Sequence, residues 1–176
     1  MSPVTLRNLL PEDAPVLSRY ADNYRIWVNL SDRFPHPYTL EDAHAYIDAE
    51  LQLAVPTRQA ICWEGAFAGV AGVELYSGIR RASAQVGYWL AEPFWGNGIM
   101  SLALDQFCIW VFKTYPEIMR LYAGVFPYNP ASMQVLRKCG FVQEGILRKA
   151  LIKEGKLWDE HLFARLRPGL GEPSTT

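Results

Sequence analysis

The run Gly87-Tyr-Trp-Leu-Ala-Glu-Pro-Phe-Trp-Gly-Asn-Gly-Ile-Met-Ser101 limits what this chain can fold into more than any other stretch. Tyr88, Trp89 and Leu90 are strong strand formers. Pro93 lacks an N–H and disfavours helix in the residue before it, so the strand should stop near Ala91. Gly96 and Gly98 flank Asn97, and all three tolerate the backbone angles of a tight turn. The apolar run Ile99 to Phe112 is too long for a typical strand and reads as helix. A strand that feeds a helix through glycines presents free N–H groups and the positive end of a helix dipole, a place for an anion such as a pyrophosphate. A dinucleotide fingerprint would require a third glycine where Ser101 stands. Taken alone, the stretch is equally a plain glycine-rich connection, and its context must decide.

Before it, Val4 to Leu9 alternates as a short strand, and Pro11-Glu-Asp-Ala opens a first helix with acids in its first turn. Asp32 to Pro37 is a proline-bearing loop. Thr39-Leu-Glu-Asp reads as a capping box that starts a second helix. His44 lies in that helix, as a solvated side chain or a substrate contact. Thr57 to Trp63, the turn Glu64-Gly65 and Ala66 to Tyr76 form a hairpin, and Gly69 and Gly72 mark a bulge or a close backbone neighbour. Ala82 to Leu90 is the next antiparallel strand. Beyond the helix Gly98–Tyr115, Leu121 to Phe126 is a strand. Asn129 as N-cap, Pro130 at the first helical position and Gly140 past the last turn then bound another helix. Phe141 to Ile152 and Leu157 to Arg165 close the chain as a hairpin about Lys153-Glu154-Gly155-Lys156.

The order is β-α-α-β-β-β-α-β-α-β-β, an α+β layout with a mostly antiparallel sheet and a single β-α-β crossover at the glycine turn. A doubly wound nucleotide fold needs several such crossovers, which disfavours a dinucleotide oxidoreductase. Residues 1–168 read as one domain and 169–176 as a flexible C-terminal tail. With 17 Lys and Arg against 18 Asp and Glu, the net charge is −1, and no basic face offers itself to a nucleic acid backbone. No signal peptide is expected before Pro3, and Asp105 interrupts the long apolar helix, so no membrane span is expected either. Cys62, Cys108 and Cys139 form no Cys-x-x-Cys pair, and His36, His44 and His161 show no metal-ligand spacing. The expectation is a cytoplasmic protein with reduced thiols, no disulfide and no metal.

Gly87-Tyr-Trp-Leu with Trp95-Gly-Asn-Gly-Ile-Met-Ser, followed by Asn129-x-x-Ser-Met-x-x-Leu-x-x-Cys-Gly-Phe, resembles the GNAT acetyltransferase superfamily. Phe34-Pro-His-Pro-Tyr-Thr, Glu144-Gly-x-Leu-Arg and Gly155-x-x-x-Asp159 are similar to its Rim-type branch, the ribosomal-protein N-terminal acetyltransferases. The resemblance covers nearly the whole chain. It implies a three-layer GNAT-like α+β fold with a splayed, mostly antiparallel seven-stranded sheet and about four helices. It also implies transfer of an acetyl group from acetyl-CoA to a primary amine: a small amine, an amino acid or a protein N-terminus. The amine attacks directly, so Cys139 need not be a nucleophile and is expected to pack the helix end.

The resemblance further implies that the pyrophosphate lies on Trp95, Gly96, Asn97, Gly98, Ile99, Met100 and Ser101. The pantetheine pairs with Tyr88, Trp89 and Leu90, and the thioester sits between that strand and Leu121–Phe126. Ser132 is expected to hydrogen-bond the departing sulfur, because Leu136 stands where many GNAT enzymes carry a tyrosine. Asn129 contacts CoA or simply caps its helix; Lys138 approaches the CoA phosphates or is merely solvated. Many relatives carry Glu where this chain has Gln85, and glutamine takes no proton at neutral pH. That departure leaves a non-catalytic acyl-CoA-sensing module as the alternative. For the base, Glu74 is the first expectation, on the premise that burial raises its pKa. Asp159 is second, and bulk water is third. Trp27, Phe34, Tyr38 and Trp158, in the loop Tyr24–Tyr38 and the final hairpin, are expected to line the acceptor cleft, together with Gln85 of the strand Ala82 to Leu90. Sheet edges and exposed aromatics offer a route to a homodimer, as in relatives.

Overall fold

The computed structural model describes residues 3–170. One sheet contains seven strands: β1 (Val4–Arg7), β2 (Arg58–Trp63), β3 (Ala66–Leu75), β4 (Ser83–Leu90), β5 (Arg120–Val125), β6 (Val142–Lys153) and β7 (Lys156–Leu166). They lie side by side as β1-β2-β3-β4-β5-β7-β6. Every pairing is antiparallel except β4 with β5, so the sheet is mixed. The helices are α1 (Ala14–Ala21), α2 (Tyr24–Trp27), α3 (Leu40–Leu51), α4 (Ile99–Thr114) and α5 (Pro130–Lys138). That is one more than the sequence suggests: the expected loop from Tyr24 opens with the single turn α2, capped by Asn23, whose side chain accepts from the Arg25 N–H. A 3-10 turn over Pro11–Asp13 precedes α1.

The helix ends form where the local chemistry places them. Thr39 and Asp42 exchange side-chain-to-backbone bonds at the start of α3 (3.1 and 2.8 Å). The Asn129 side chain accepts from the Ser132 N–H (3.1 Å), Pro130 opens α5, and Gly140 leaves it with φ +77°. The expected tail begins as a turn, the Leu170 N–H donating to the Arg167 carbonyl (3.1 Å); positions 171–176 of that tail lie outside the described residues.

Two cores sandwich the sheet. Leu104, Phe107 and Val111 of α4 pack on Val86, Leu121 and Phe163, with Met133 and Leu136 of α5 joining them. On the opposite face, Leu17 of α1 and Ile47 of α3 pack on Val70 and Trp89. Among the described residues that second core draws on β2, β3 and β4 but on no residue of β5, β6 or β7. The second face is therefore covered by helices at one end only.

Gly69 supplies the close backbone approach anticipated from its place in the strand. A Cβ there would overlap the Trp89 carbonyl oxygen and press on the Leu90 Cα. Gly69→Ala should therefore force the β3–β4 ladder apart. The expected cost is about 1–3 kcal/mol, the usual penalty for overpacking, seen as a fall in Tm of several degrees by calorimetry.

Candidate active site

The site follows from where one ladder ends. Strands β4 and β5 pair only at Ser83, Ala84 and Gln85 with Arg120, Leu121 and Tyr122. Past that point they diverge, although β4 continues to Leu90 and β5 to Val125. Each strand thus presents an unpaired edge to the gap, which β-strand backbone must satisfy with some other partner. The gap opens into a cavity of about 650 Å³, lined by Val86–Leu90 and Ala123–Val125 on its two flanks.

One end of the cavity is the glycine turn. Gly96 and Gly98 both take the left-handed conformation (φ +81° and +73°), with nothing within 4 Å of where a Cβ would stand. Their requirement is thus conformational rather than steric. Gly98 is the N-cap of α4 and supplies no side-chain cap, so the first N–H groups of that helix lack a side-chain acceptor. Trp95 fixes the turn to the strand, its indole N–H donating to the Leu90 carbonyl (2.6 Å). Arg25 of α2 lies over the Trp95 ring at 4.9 Å and pairs with Glu92. Gly96, Gly98, Ile99, Met100 and Ser101 line the cavity; Asn97 does not, and its amide instead donates to the Trp95 carbonyl (3.2 Å).

The floor is the N-terminus of α5. Asn129, Ser132 and Lys138 line the cavity. The Ser132 hydroxyl lies 2.9 Å from the Tyr88 hydroxyl. Burial pushes the Tyr88 phenol well above its usual range, so it remains a proton donor at any physiological pH. Leu136, the position where the resemblance misses a tyrosine, is fully buried in the core. The phenolic hydroxyl beside Ser132 comes from β4 instead. Cys139 packs the helix end as expected, its thiol donating to the Ser101 carbonyl (3.2 Å) and raised to about 11 by burial.

A third wall comes from the chain's beginning: Tyr24–Ile26 and Val28–Leu30 lean over the cavity. The β6–β7 hairpin holds that wall in place. Lys153 at the tip is only 2% exposed. Its ammonium donates to the Leu30 carbonyl (3.0 Å) and Asp32 (3.1 Å) and sits 3.7 Å from the Trp27 ring centre. Tyr24 donates to Glu154 (3.0 Å), and Tyr128 to the Val28 carbonyl (2.8 Å).

The carboxylate that matters here was not foreseen. Glu160 of β7 lies against Gly124 of β5, so closely that a Cβ on Gly124 would coincide with its carboxylate. Gly124 lines the cavity; Glu160 does not line it itself but lies directly against that glycine. Glu160 has no ion pair or hydrogen bond among the described residues, and burial raises its pKa. The one sequence signal was a glycine inside Arg120-Leu-Tyr-Ala-Gly-Val125, which marks a close approach without saying by what.

The two expected bases are elsewhere. The premise that Glu74 is buried fails: its side chain is 44% exposed and paired with Arg33 at 2.7 Å. Asp159 accepts from the Lys149 N–H (3.0 Å) at an irregularity of the β6–β7 ladder and lies 3.5 Å from the Lys149 ammonium. That backbone bond holds its carboxyl below the usual range, the wrong direction for a base near neutral pH. Neither residue lines the cavity.

The expected aromatic cleft also divides differently. Phe34 and Tyr38 pack on each other (4.8 Å), and Phe34 on Trp89 (6.1 Å), with Tyr38 6% exposed; both belong to the second core rather than to a cleft. Trp27 stacks on His36 (5.1 Å), and Trp158 stands edge-on to Tyr128 (4.8 Å). Those two support the wall without lining the cavity. Cys62, Cys108 and Cys139 are free and buried, and among the described residues no cluster of His, Cys, Asp or Glu could hold a metal. No helix among them is long and apolar enough to cross a membrane.

A profile of the acetyltransferase (GNAT) domain matches residues 4–142, and the chain belongs to that family. It is 39% identical over 99 residues to the probable N-acetyltransferase YjcK of Bacillus subtilis (strain 168), 54% of either protein. It is 37% identical over 84 residues to the ribosomal-protein-serine acetyltransferase of Escherichia coli (strain K12), 48% of this chain and 46% of that one. The chain spans about half the length of the curated relatives it matches. Its fold matches that of RimL, a ribosomal L7/L12 alpha-N-protein acetyltransferase solved in complex with coenzyme A. The TM-score is 0.82 at 24% identity, covering 94% of this chain and 95% of that one. The likeness to the Rim-type branch read from the motifs thus holds at the level of family and fold.

Glu160 carries a stability signature that can be measured. A carboxyl whose folded pKa is raised binds its proton more tightly in the native state, so stability falls as the pH climbs from the ordinary value of 4.5 through the raised one. Glu160→Gln should raise Tm at neutral pH. The difference from the parent should shrink as the pH drops below 4.5, read by thermal melts across a pH series.

Proposed function

We propose that this chain is an acetyl-CoA-dependent N-acetyltransferase that acts on a primary amine by direct attack, without a covalent enzyme intermediate. The observation that carries this is a convergence on one gap. An uncapped helix N-terminus, an unpaired strand edge and a hydroxyl pair meet there, with an unpartnered carboxylate packed against Gly124 of its wall.

The donor set fits the group. Free N–H groups at the Gly96–Ser101 turn and the dipole of α4 suit a pyrophosphate. The open edge of β4 from Val86 to Leu90 suits the amides of a pantetheine arm, which then runs as an added strand toward the gap. Lys138 and Arg25 bring positive charge to the walls. Acetyl-CoA supplies an acetyl thioester whose carbonyl carbon is open to an amine.

The remaining steps belong to this chain's own side chains. Glu160, with no ion pair among the described residues, holds the acceptor's ammonium over Gly124 and takes a proton from it. Its raised pKa brings it nearer the value a general base needs. As the C–N bond forms and the C–S bond breaks, the sulfur recovers a proton from the Ser132–Tyr88 hydroxyl pair. The amine's second proton leaves through water and returns to that hydroxyl pair, which is restored for the next turnover. The sensing alternative rested on Gln85; Glu160 gives the site a carboxylate that does not depend on that position. Two relatives' names point to ribosomal-protein acceptors, and a protein N-terminus is among the amines this site would take.

Thiol release from acetyl-CoA against a panel of amino acids, polyamines, aminoglycosides and short peptides tests the proposal. Release that depends on one acceptor class is the expected result; none with any amine would return the sensing module to the front. Glu160→Gln should lower kcat/KM by roughly 10²-fold, the contribution typical of a positioned base, with the Kd of acetyl-CoA unchanged by calorimetry. Ser132→Ala and Tyr88→Phe should depress kcat while leaving that Kd in place. Gly98→Ala should do the reverse, weakening acetyl-CoA binding because an alanine there strains a left-handed residue by about 1–2 kcal/mol.

A further inference from the structure

Resting on the transferase reading above, we propose that Gln85, oriented by Tyr76 and Tyr122, is an acceptor subsite. It donates a hydrogen bond to a carbonyl or carboxylate oxygen carried by the amine substrate, about two strand residues from the amine itself.

The alternation of side chains along each strand puts the parts together. Tyr122 and Gly124 share one face of β5, and Gln85 and Gly87 share one face of β4. Glu160 lies over Gly124 on that face. Among the described residues the second core leaves it uncovered at the β5–β7 end. Tyr122 donates to the Tyr76 hydroxyl (2.7 Å), and Tyr76 donates to the Gln85 side-chain oxygen (3.0 Å), the two rings stacked with centroids 6.2 Å apart. Burial keeps the Tyr76 phenol protonated, so it remains a donor.

The carboxamide oxygen of Gln85 is therefore taken, which leaves its NH2 group to donate. Nothing among the described residues accepts from it. Glu74 faces Gln85 directly across the β3–β4 ladder but is engaged by Arg33 instead. Gln85 and Tyr122 form the last pair of the ladder before the gap opens; contrary to the expectation for Gln85, neither lines the cavity itself, and the unused donor stands just short of it. Two strand residues separate Gln85 from Gly87 and Tyr122 from Gly124, a rise of about 6.6 Å. An extended peptide advances at most about 3.3–3.6 Å per residue, so a carbonyl of its second residue comes level with Gln85 when its amine rests at Glu160. The free amide donor favours an oxygen over a second cation, because an ammonium would face the amide N–H groups unpaired.

The test compares two acceptors of similar length, an unblocked tripeptide amide and 1,5-diaminopentane, on the full chain and on two variants. Gln85→Glu converts the subsite from donor to acceptor. It should lower kcat/KM for the tripeptide amide by about tenfold, the scale of one hydrogen bond, and raise it for the diamine, with the KM for acetyl-CoA unchanged. Tyr76→Phe releases the orientation of Gln85 and should raise KM for the tripeptide amide alone, leaving its kcat in place. The same preference should appear without turnover, as tighter calorimetric binding of the tripeptide amide to the wild-type chain than to Gln85→Glu. A Gln85→Glu protein that shifts both acceptors by the same factor, or neither, overturns the proposal. Equal binding of the tripeptide amide to both proteins overturns it too, and this result stands whether or not acetyl transfer occurs. Absence of thiol release from the wild type with every amine counts instead against the transferase reading.

Discussion

A parallel ladder that stops after three residue pairs determines the rest of this molecule. Had β4 and β5 stayed paired to their ends, the sheet would be continuous and would have nothing to bind. Their parting leaves backbone donors and acceptors on two edges at the depth of a protein core, where each unmet group is costly. The residues at the parting accommodate this. Gly87 and Gly124 carry no side chain into the gap, the α5 N-terminus rises beneath it, and α4 begins at its far end with its N–H groups facing inward. A ligand that is partly extended amide and partly phosphate answers all of these at once.

Charge is handled sparingly around that gap. Arg33 occupies Glu74, Lys149 occupies Asp159, and Arg120 occupies Glu144 at 2.6 Å. These pairs are partly solvated and contribute little to stability. Glu160, packed against the cavity wall at Gly124, has no such partner among the described residues. An unpaired, half-buried carboxylate destabilises the fold slightly and retains its capacity to bind a cation, a pattern common where local stability is given up for chemistry.

What the sequence disclosed was local. The glycine turn, the Thr39 box, the Asn129-Pro130 start and the Gly140 stop are each written in a few neighbouring residues, and each stands in the structure close to where those residues put it. What it withheld depended on register. Glu160 is indistinguishable from Glu74 or Asp159 until β7 is laid against β5 and Gly124 is found beneath it. Glu74 suggested burial because its strand is central and rich in small residues, but it stands at the strand's exposed end, within reach of Arg33. Phe34 and Tyr38 suggested a cleft because aromatic residues in a loop often line one; α1 and α3 instead draw them into a second core. The short helix α2, only four residues long, carries too little periodic pattern to be read in advance.

The fastening of the cavity's third wall bears on how the chain acquires its site. Lys153, Glu154 and Tyr128 grip residues 24–32 across sequence separations of 100 to 130 residues. Contacts that distant form late, because a long loop must close before they bring any gain. During synthesis the glycine turn and both helices under the gap can assemble while the final hairpin is still unmade, and the wall then has its contacts to Tyr128, Glu92 and Trp95 but none to that hairpin. The glycine-turn half of the site is thus a product of early folding and its full enclosure a product of the last strands.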